Sequence, residues 1–279
     1  MAVAKKLSLE CYMDDYLFRS SYNGLIAQYW YALGVYTADG YVCKSGISIE
    51  VQYRDHTWVE SVANLITKLT GIRYHQNVRQ IKDKTYIRLR HHSTLLSQYF
   101  VSLGIPYAKT FKLRFNTKIP TAYCFPFLLG YFDGNGWVSC RERNSHMELS
   151  CGIATGSQLF ADDLKGLLHD SAFPASVRKA SESNSYLIEW WGTKAEKFLD
   201  TLYSPDLTSV CLLRKFIKLK NYKQRVIVRH ERWWSEYDAQ FLWNHQDTLS
   251  VQELATQLKR SERAVKLKLL RLRRANNGI

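Results

Sequence analysis

No run in this sequence approaches the roughly 20 consecutive apolar residues that span a bilayer. Its opening, MAVAKKLSLECYMDDYLF, also lacks the apolar stretch of a secretory signal. The expectation is a soluble protein that is not secreted and has no membrane partner, in the cytoplasm or another reducing compartment. Paired cysteines are missing too. The six present (Cys11, Cys43, Cys124, Cys140, Cys151, Cys211) are scattered, mostly among apolar neighbours, with no CxxC. That excludes a zinc ribbon and argues against a disulfide frame; they read as small buried hydrophobes. Acidic residues are in deficit, 25 Asp plus Glu against 39 Lys plus Arg, a formal charge of +14. Such an excess favours a polyanion, nucleic acid first and an acidic membrane surface second, or else serves solubility alone.

What the 279 residues do hold is a pair of similar segments. Ala32-Leu33-Gly34-Val35-Tyr36-Thr37-Ala38-Asp39-Gly40 and Leu128-Leu129-Gly130-Tyr131-Phe132-Asp133-Gly134-Asn135-Gly136 are each apolar and helix-like, with a central glycine. Each ends in a polar residue, a glycine and an aromatic-valine strand start, Tyr41-Val42 and Trp137-Val138. A carboxylate such as Asp39 in the last turn of a helix opposes the helix dipole, so a function such as cation binding is expected of it. The two copies stand one small domain apart, and an internal duplication is the economical reading.

The surrounding patterns repeat in the same order. After the first motif helix (24–38), Ile47, Ile49, Val51 and Tyr53 alternate with Ser48, Glu50, Gln52 and Arg54, a strand with one wet face. A helix over 59–69, strands around 72–78 and 86–90 and a helix over 95–103 follow, stopped by Gly104 and Pro106. In the second copy, strands at 138–143 and 147–153 precede a helix at 159–168. Strands at 176–180 and 186–191 and a helix at 195–203 complete it. Each copy is thus helix, two strands, helix, two strands, helix. The predicted class is α+β: two pseudo-symmetric αββαββα repeats, each sheet exposing a basic surface.

Composition shifts from Lys223 onward. Ser235 is a candidate N-cap, and Ser250-Val251-Gln252-Glu253 is a serine capping box. From Gln257 to the end there are eight Lys or Arg and one Glu. Three short helices with a basic last one follow helix-turn-helix grammar; a small bundle with merely solvated charges is the alternative.

These residues resemble the LAGLIDADG homing endonuclease family in its single-chain, two-repeat form. The paired motifs carry the resemblance, together with Leu103-Gly104-Ile105-Pro106-Tyr107-Ala108-Lys109-Thr110-Phe111-Lys112-Leu113-Arg114-Phe115 between the repeats and Leu213-Arg214-Lys215 after the second. It spans about residues 20–222, as repeats 20–117 and 118–222. Residues 230–275 separately resemble a Myb-like helix-turn-helix module. The resemblance implies two motif helices packed side by side through Gly34 and Gly130, with positions 39 and 135 meeting under the scissile phosphates. It further implies two sheets forming a saddle on double-stranded DNA, a monomeric protein, and Mg²⁺ or Mn²⁺ as cofactor. By position Asp39 and Asn135 are the candidate catalytic metal ligands, and Lys109 and Lys215 the candidate basic catalytic residues near the attacking water or the transition-state charge, or else plain phosphate clamps, with Lys118 the alternative in the first half. Asn135 departs from the family, which carries Asp or Glu there; an amide offers one neutral oxygen and no charge. Slowed double-strand cleavage, nicking of one strand, or binding without cleavage each follow from it. Asp133, two residues earlier, would point elsewhere.

Candidate DNA contacts are Gln52, Arg54, Arg73, Arg88, Arg90, Arg141, Arg143, Arg178 and Lys179 on strand-like segments, and Arg260, Arg263 and Lys266 in the last helix. Gln76 and Asn144 are weaker candidates for adenine contacts. His91-His92 reads as a strand end, and Trp190-Trp191 and Trp233-Trp234 as core and staple residues. The expected function is a site-specific homing-type endonuclease on a long asymmetric duplex, the rival a binding-only DNA regulator or a maturase with intron RNA as partner.

Overall fold

Alternating strands and apolar helix faces build one topology twice. The structure, a computed structural model, describes residues 23–115, 118–143, 146–170, 173–181, 183–203, 210–230 and 234–276. They fall into two compact units, one ending at Lys223 and the other beginning at Gln224. In the first unit, α1 (Asn23–Asp39), β1 (Gly40–Cys43), β2 (Gly46–Gln52), α2 (His56–Thr70), β3 (Tyr74–Ile81), β4 (Lys84–His92) and α3 (Thr94–Ser102) form repeat one. Repeat two is α4 (Cys124–Asn135), β5 (Gly136–Arg143), β6 (His146–Thr155), α5 (Gln158–Asp170), β7 (Ser176–Lys179), β8 (Tyr186–Trp191) and α6 (Gly192–Leu202). Helix α7 (Leu213–His230) follows. The two antiparallel sheets have the same strand order, β1-β2-β4-β3 and β5-β6-β8-β7. The α+β class expected from the sequence is the one observed.

Register decides which side chains face the helices. Ile47, Ile49 and Val51 on β2 lie opposite His91, Leu89 and Ile87 on β4, all buried against Val59, Val62 and Ile66 of α2 and Leu96 and Phe100 of α3. The other face of that sheet carries Ser48, Glu50 and Gln52 opposite Arg90, Arg88 and Tyr86. In the second sheet Leu149, Cys151, Ile153, Ile188 and Trp190 turn inward onto Phe160 and Leu164 of α5 and Phe198 of α6. Trp190 stacks on Phe198 at 3.9 Å between centroids.

Trp191 and helix α7 depart from the sequence reading, whereas Trp234 meets it. Trp191 is half exposed (53%) on the open face, because alternation along the strand turns it away from Trp190. Trp234 packs on the core of the second unit, and Trp233 lies outside the described residues. Helix α7 is absent from the sequence pattern because a lysine, Lys215, occupies one of its buried positions and interrupts the apolar period. Five described cysteines are free; Cys151 and Cys211 are buried, while Cys43, Cys124 and Cys140 are half-buried.

The second unit holds α8 (Glu236–His245), α9 (Val251–Gln257) and α10 (Glu262–Asn276) around Leu242, Leu254, Ala255, Val265 and Leu269. Ser235 and Ser250 each close a reciprocal capping box, with Asp238 and Glu253. A bend at Lys259, with φ of 51°, joins α9 to α10.

In the first unit α1 and α4 pack along each other at backbone distance. A Cβ at Gly34 would lie 2.0 Å from Phe127 O, and one at Gly130 would lie 1.9 Å from Tyr31 O. No side chain fits there, so these glycines set the helix separation. Gly34→Ala or Gly130→Ala should destabilise the protein by about 3 kcal/mol or more, since backbone must move. Gly166→Ala, in an exposed turn of α5 with nothing within 4 Å of the new methyl, should stabilise by about 0.5–1 kcal/mol through helix propensity. Urea unfolding of the three variants checks both signs.

Candidate functional site at the paired helix ends

Because the two glycines let α1 and α4 touch, their C-terminal ends arrive together. A Cβ at Gly134 would lie 2.4 Å from the Ala38 Cβ and 3.1 Å from Asp39 Oδ2. The Asp39 carboxylate therefore rests on the residue that precedes Asn135. Asn135 donates its Nδ2 to Tyr131 Oη (3.4 Å), which leaves Oδ1 as the amide oxygen for a cation. Burial raises the Asp39 pKa, and the positive charges of Lys109, Lys215 and Arg214 act against that rise. One carboxylate thus lies in the field of cations from both repeats.

Both lysines hold helix ends. Lys109 Nζ donates to the carbonyls of Tyr36, Thr37 and Ala38, and Lys215 Nζ donates to those of Phe132 and Asp133. These are matching positions in the two motifs. An ammonium at a helix C-terminus meets unsatisfied carbonyls and the negative end of the dipole. Burial pushes Lys109 down to about 7, opposed by Asp39, and Lys215 down to about 8, opposed first by Asp133. The unequal sequence spacing to these lysines arises mainly after the last helix of each repeat, since Lys215 follows Leu202 at a greater distance in sequence than Lys109 follows Ser102. Lys118, the alternative, donates to Ser102 O at the end of α3.

Asp133 is buried (1%) and accepts from Tyr31 Oη (2.8 Å), Tyr203 Oη (3.0 Å) and the Leu212 amide (2.7 Å). Tyr31 Oη in turn accepts from Trp58 Nε1 (2.6 Å). The Asp133 carboxylate faces into the protein and is engaged in structure. Thr37, the matching residue in α1, turns its hydroxyl onto Leu33 O (2.7 Å). A pair that sequence reasoning misses lies alongside: Arg214 holds the buried Asp55 through Nε–Oδ1 (2.9 Å) and Nη2–Oδ2 (3.1 Å). Arg214 neighbours Lys215, and Asp55 sits at the start of α2, so a search for an acid at a helix start facing a basic doublet would find them.

Among the described residues no three His, Cys, Asp or Glu side chains gather as a metal-binding group. The donors at the helix ends are one carboxylate and one amide oxygen. That set suits a hard divalent cation that draws its other ligands from water and phosphate, as Mg²⁺ does. It does not suit a closed structural zinc site. His91 is fully buried beside Tyr36 and Thr67, and burial pushes it down to about 4, a neutral packing residue.

The predicted DNA contacts divide by register. Gln52, Arg88 and Arg90 share the open face of the first sheet, and Arg141 and Arg178 that of the second. Several have partners within the protein. Arg88 and Arg79 both donate to Glu50, Arg90 donates to Ser45 Oγ, and Arg178 donates to Glu189. The pairs on Glu50 are exposed and contribute little to stability, whereas Glu189 is buried; both carboxylates hold their guanidinium groups in fixed directions. Arg54 and Arg73 are exposed but lie off the strands, in a short 3₁₀ turn and in the segment before β3. Lys179 ends β7 on the same side as Val177, away from the open face, and Gln76 pairs with Leu89 on the helix side. Arg143 closes β5, with its side chain outside the described residues, as is Asn144. In the second unit Arg263 and Lys266 are exposed on α10. Arg260 instead lies over the Trp234 ring (5.3 Å) and beside Asp238 (3.4 Å), only 17% exposed, which makes it a packing residue of the turn.

No protein-family profile matches the chain, and no curated protein sequence does. Among solved structures it is similar to mesophilic variants of the homing endonuclease I-DmoI, at 13% identity and a TM-score of 0.47, over 66% of this chain and 99% of that one. It is similar to the meganuclease I-SmaMI bound to uncleaveable DNA with a TTGT central four, at 11% identity and 0.48, over 82% and 95%. A third similar structure is full-length DUF199/WhiA from Thermatoga maritima, at 16% identity and 0.45, over 95% and 96%. Likenesses this distant leave function to the chain's own residues.

The helix-end lysines give a direct check on the site. ¹³Cε-lysine NMR should show two lysines titrating near 7 and 8, well below the usual value of about 10.4. Asp39 holds both upward, so Asp39→Asn should move both midpoints lower. Unmoved midpoints would remove Asp39 from their neighbourhood.

Proposed function

We propose that this chain is a metal-dependent DNA endonuclease of the LAGLIDADG type, acting on a long asymmetric duplex. The observation that carries the reading is the Asp39 carboxylate at the junction of two glycine-packed helix ends, in the field of Lys109, Lys215 and Arg214. Each repeat adds an open sheet face with oriented arginines for phosphate and base edges.

Asp39 and the Asn135 Oδ1 are the residues that would hold Mg²⁺ or Mn²⁺ against a phosphate. The chemistry such a cation would supply is a lowered pKa for the attacking water and compensation of charge on the leaving oxygen. Lys109 and Lys215 have their protons on backbone carbonyls, so they are positioning residues: they fix the two helix ends and set a positive potential where phosphate negative charge grows. Asn135 supplies no charge, and the two half-sites are unequal. The strand served by Asp39 is therefore cut first, and nicking precedes any double-strand break. The second unit adds affinity through α10, and the protein works as a monomer.

A second reading has an observation of its own. With Asp133 turned inward, Asp39 is the one carboxylate at the paired helix ends among the described residues that is left for a cation, and on this reading the same scaffold serves as a binding-only DNA regulator, or as a maturase on intron RNA.

A supercoiled plasmid carrying a duplex selected for binding separates these readings. With Mg²⁺ or Mn²⁺, open circle should accumulate ahead of linear product. Asp39→Asn should reduce both by about 100-fold or more, while Asn135→Asp should speed the second cut. Cleavage untouched in Asp39→Asn would overturn the metal assignment. Absence of both products on a bound site would favour the binding-only reading.

The role of the second unit is tested by ending the chain at residue 229. The slope of log affinity against log salt should shrink by about 0.9 for each phosphate that the second unit had neutralised. Filter-binding titrations would show it, and an unchanged slope would exclude this unit from the footprint.

A further inference from the structure

Two leucines on α10 have no structural reason to be where they are. Val265 and Leu269 pack into the core of the second unit and Leu272 packs against it. Leu267 and Leu270 point away from it, 48% and 46% exposed. At 3.6 residues per turn they are neighbours on the outward side of the helix. Arg263, Lys266, Arg271 and Arg274 border them on that side, all exposed. A single exposed leucine is ordinary, but an adjacent pair enclosed by four cations is a shaped surface.

We propose that Leu267 and Leu270 read the 5-methyl groups of thymines in a duplex major groove, so that the second unit selects thymine-bearing sequence. The inference rests on the DNA-binding reading above and names the chemistry of one part of it. Charge chooses the occupant: the strip is narrow and basic on both sides, and a major groove offers phosphates along its edges with methyl groups on its floor. Geometry agrees with charge. The helix follows α9 through the left-handed turn at Lys259, and the second helix of such a pair is the one that enters a groove. A lipid surface would call for a broader apolar face than two leucines provide.

The probe is a duplex recovered by the full chain from a random-sequence library, with the segment protected by α10 mapped by footprinting. Thymines in that segment are then replaced one at a time by deoxyuridine, which removes only the methyl group. Wild-type affinity should fall about fourfold for each methyl that was buried. Leu267→Ala/Leu270→Ala should bind the thymine duplex correspondingly more weakly and no longer distinguish it from the uracil duplex. Both sites are exposed and alanine is a good helix former, so the fold is retained. Arg263→Ala/Lys266→Ala should weaken both duplexes equally and lower the salt slope by about 2. A lowered slope with equal wild-type affinity for thymine and uracil would overturn the leucine assignment alone. An unchanged slope in the Arg263/Lys266 variant would overturn the DNA-binding role of α10, and the leucine assignment with it. If the leucine variant lost self-association in sedimentation while thymine and uracil bound alike, a second copy would be the occupant instead.

Discussion

Everything at the centre of the first unit depends on two helix backbones touching where a methyl group would not fit. Gly34 and Gly130 face the carbonyls of Phe127 and Tyr31 at a distance shorter than any side chain allows. With α1 and α4 held there, the ends of both helices meet, and the negative ends of two helix dipoles are brought together. That accumulation of negative potential has to be balanced, and Lys109 and Lys215 do so by donating to the terminal carbonyls. Close packing, buried lysines and a carboxylate of raised pKa are therefore linked consequences of one contact.

Much of this is legible in the sequence because the relevant signals are local. The Gly-aromatic-valine ending of each motif marks where a helix turns into a strand, and the observed boundaries at Gly40 and Gly136 fall there. Ser235 and Ser250 announce helix starts through capping boxes that need only four residues to form. Strand faces follow from alternation, which is why Arg88 and Arg90 are expected on one side together.

What the sequence hides is long-range. Nothing near Asp133 in the chain names Tyr31, Tyr203 and Leu212 as its donors. The Arg214–Asp55 pair joins residues 159 positions apart. Lys215 disguises α7 by standing in an apolar row, since the partner that makes a buried lysine tolerable is the end of another helix. Arg260 misleads for a similar reason: its charge looks available for a phosphate, yet its guanidinium covers Trp234. Charged residues are poorly placed by local pattern because their burial depends on who meets them.

The Asp133 network also limits the symmetry of the two repeats. Its carboxylate belongs to repeat two, while Tyr31, and Trp58 behind it, belong to repeat one. The equivalent residue in repeat one, Thr37, is content with its own helix. Two copies of the first half placed together would leave both Tyr31 hydroxyls without an anion, and two copies of the second would bury two carboxylates short of a donor. The halves are complementary parts, like mould and cast, and neither could pair with a copy of itself and keep this network filled.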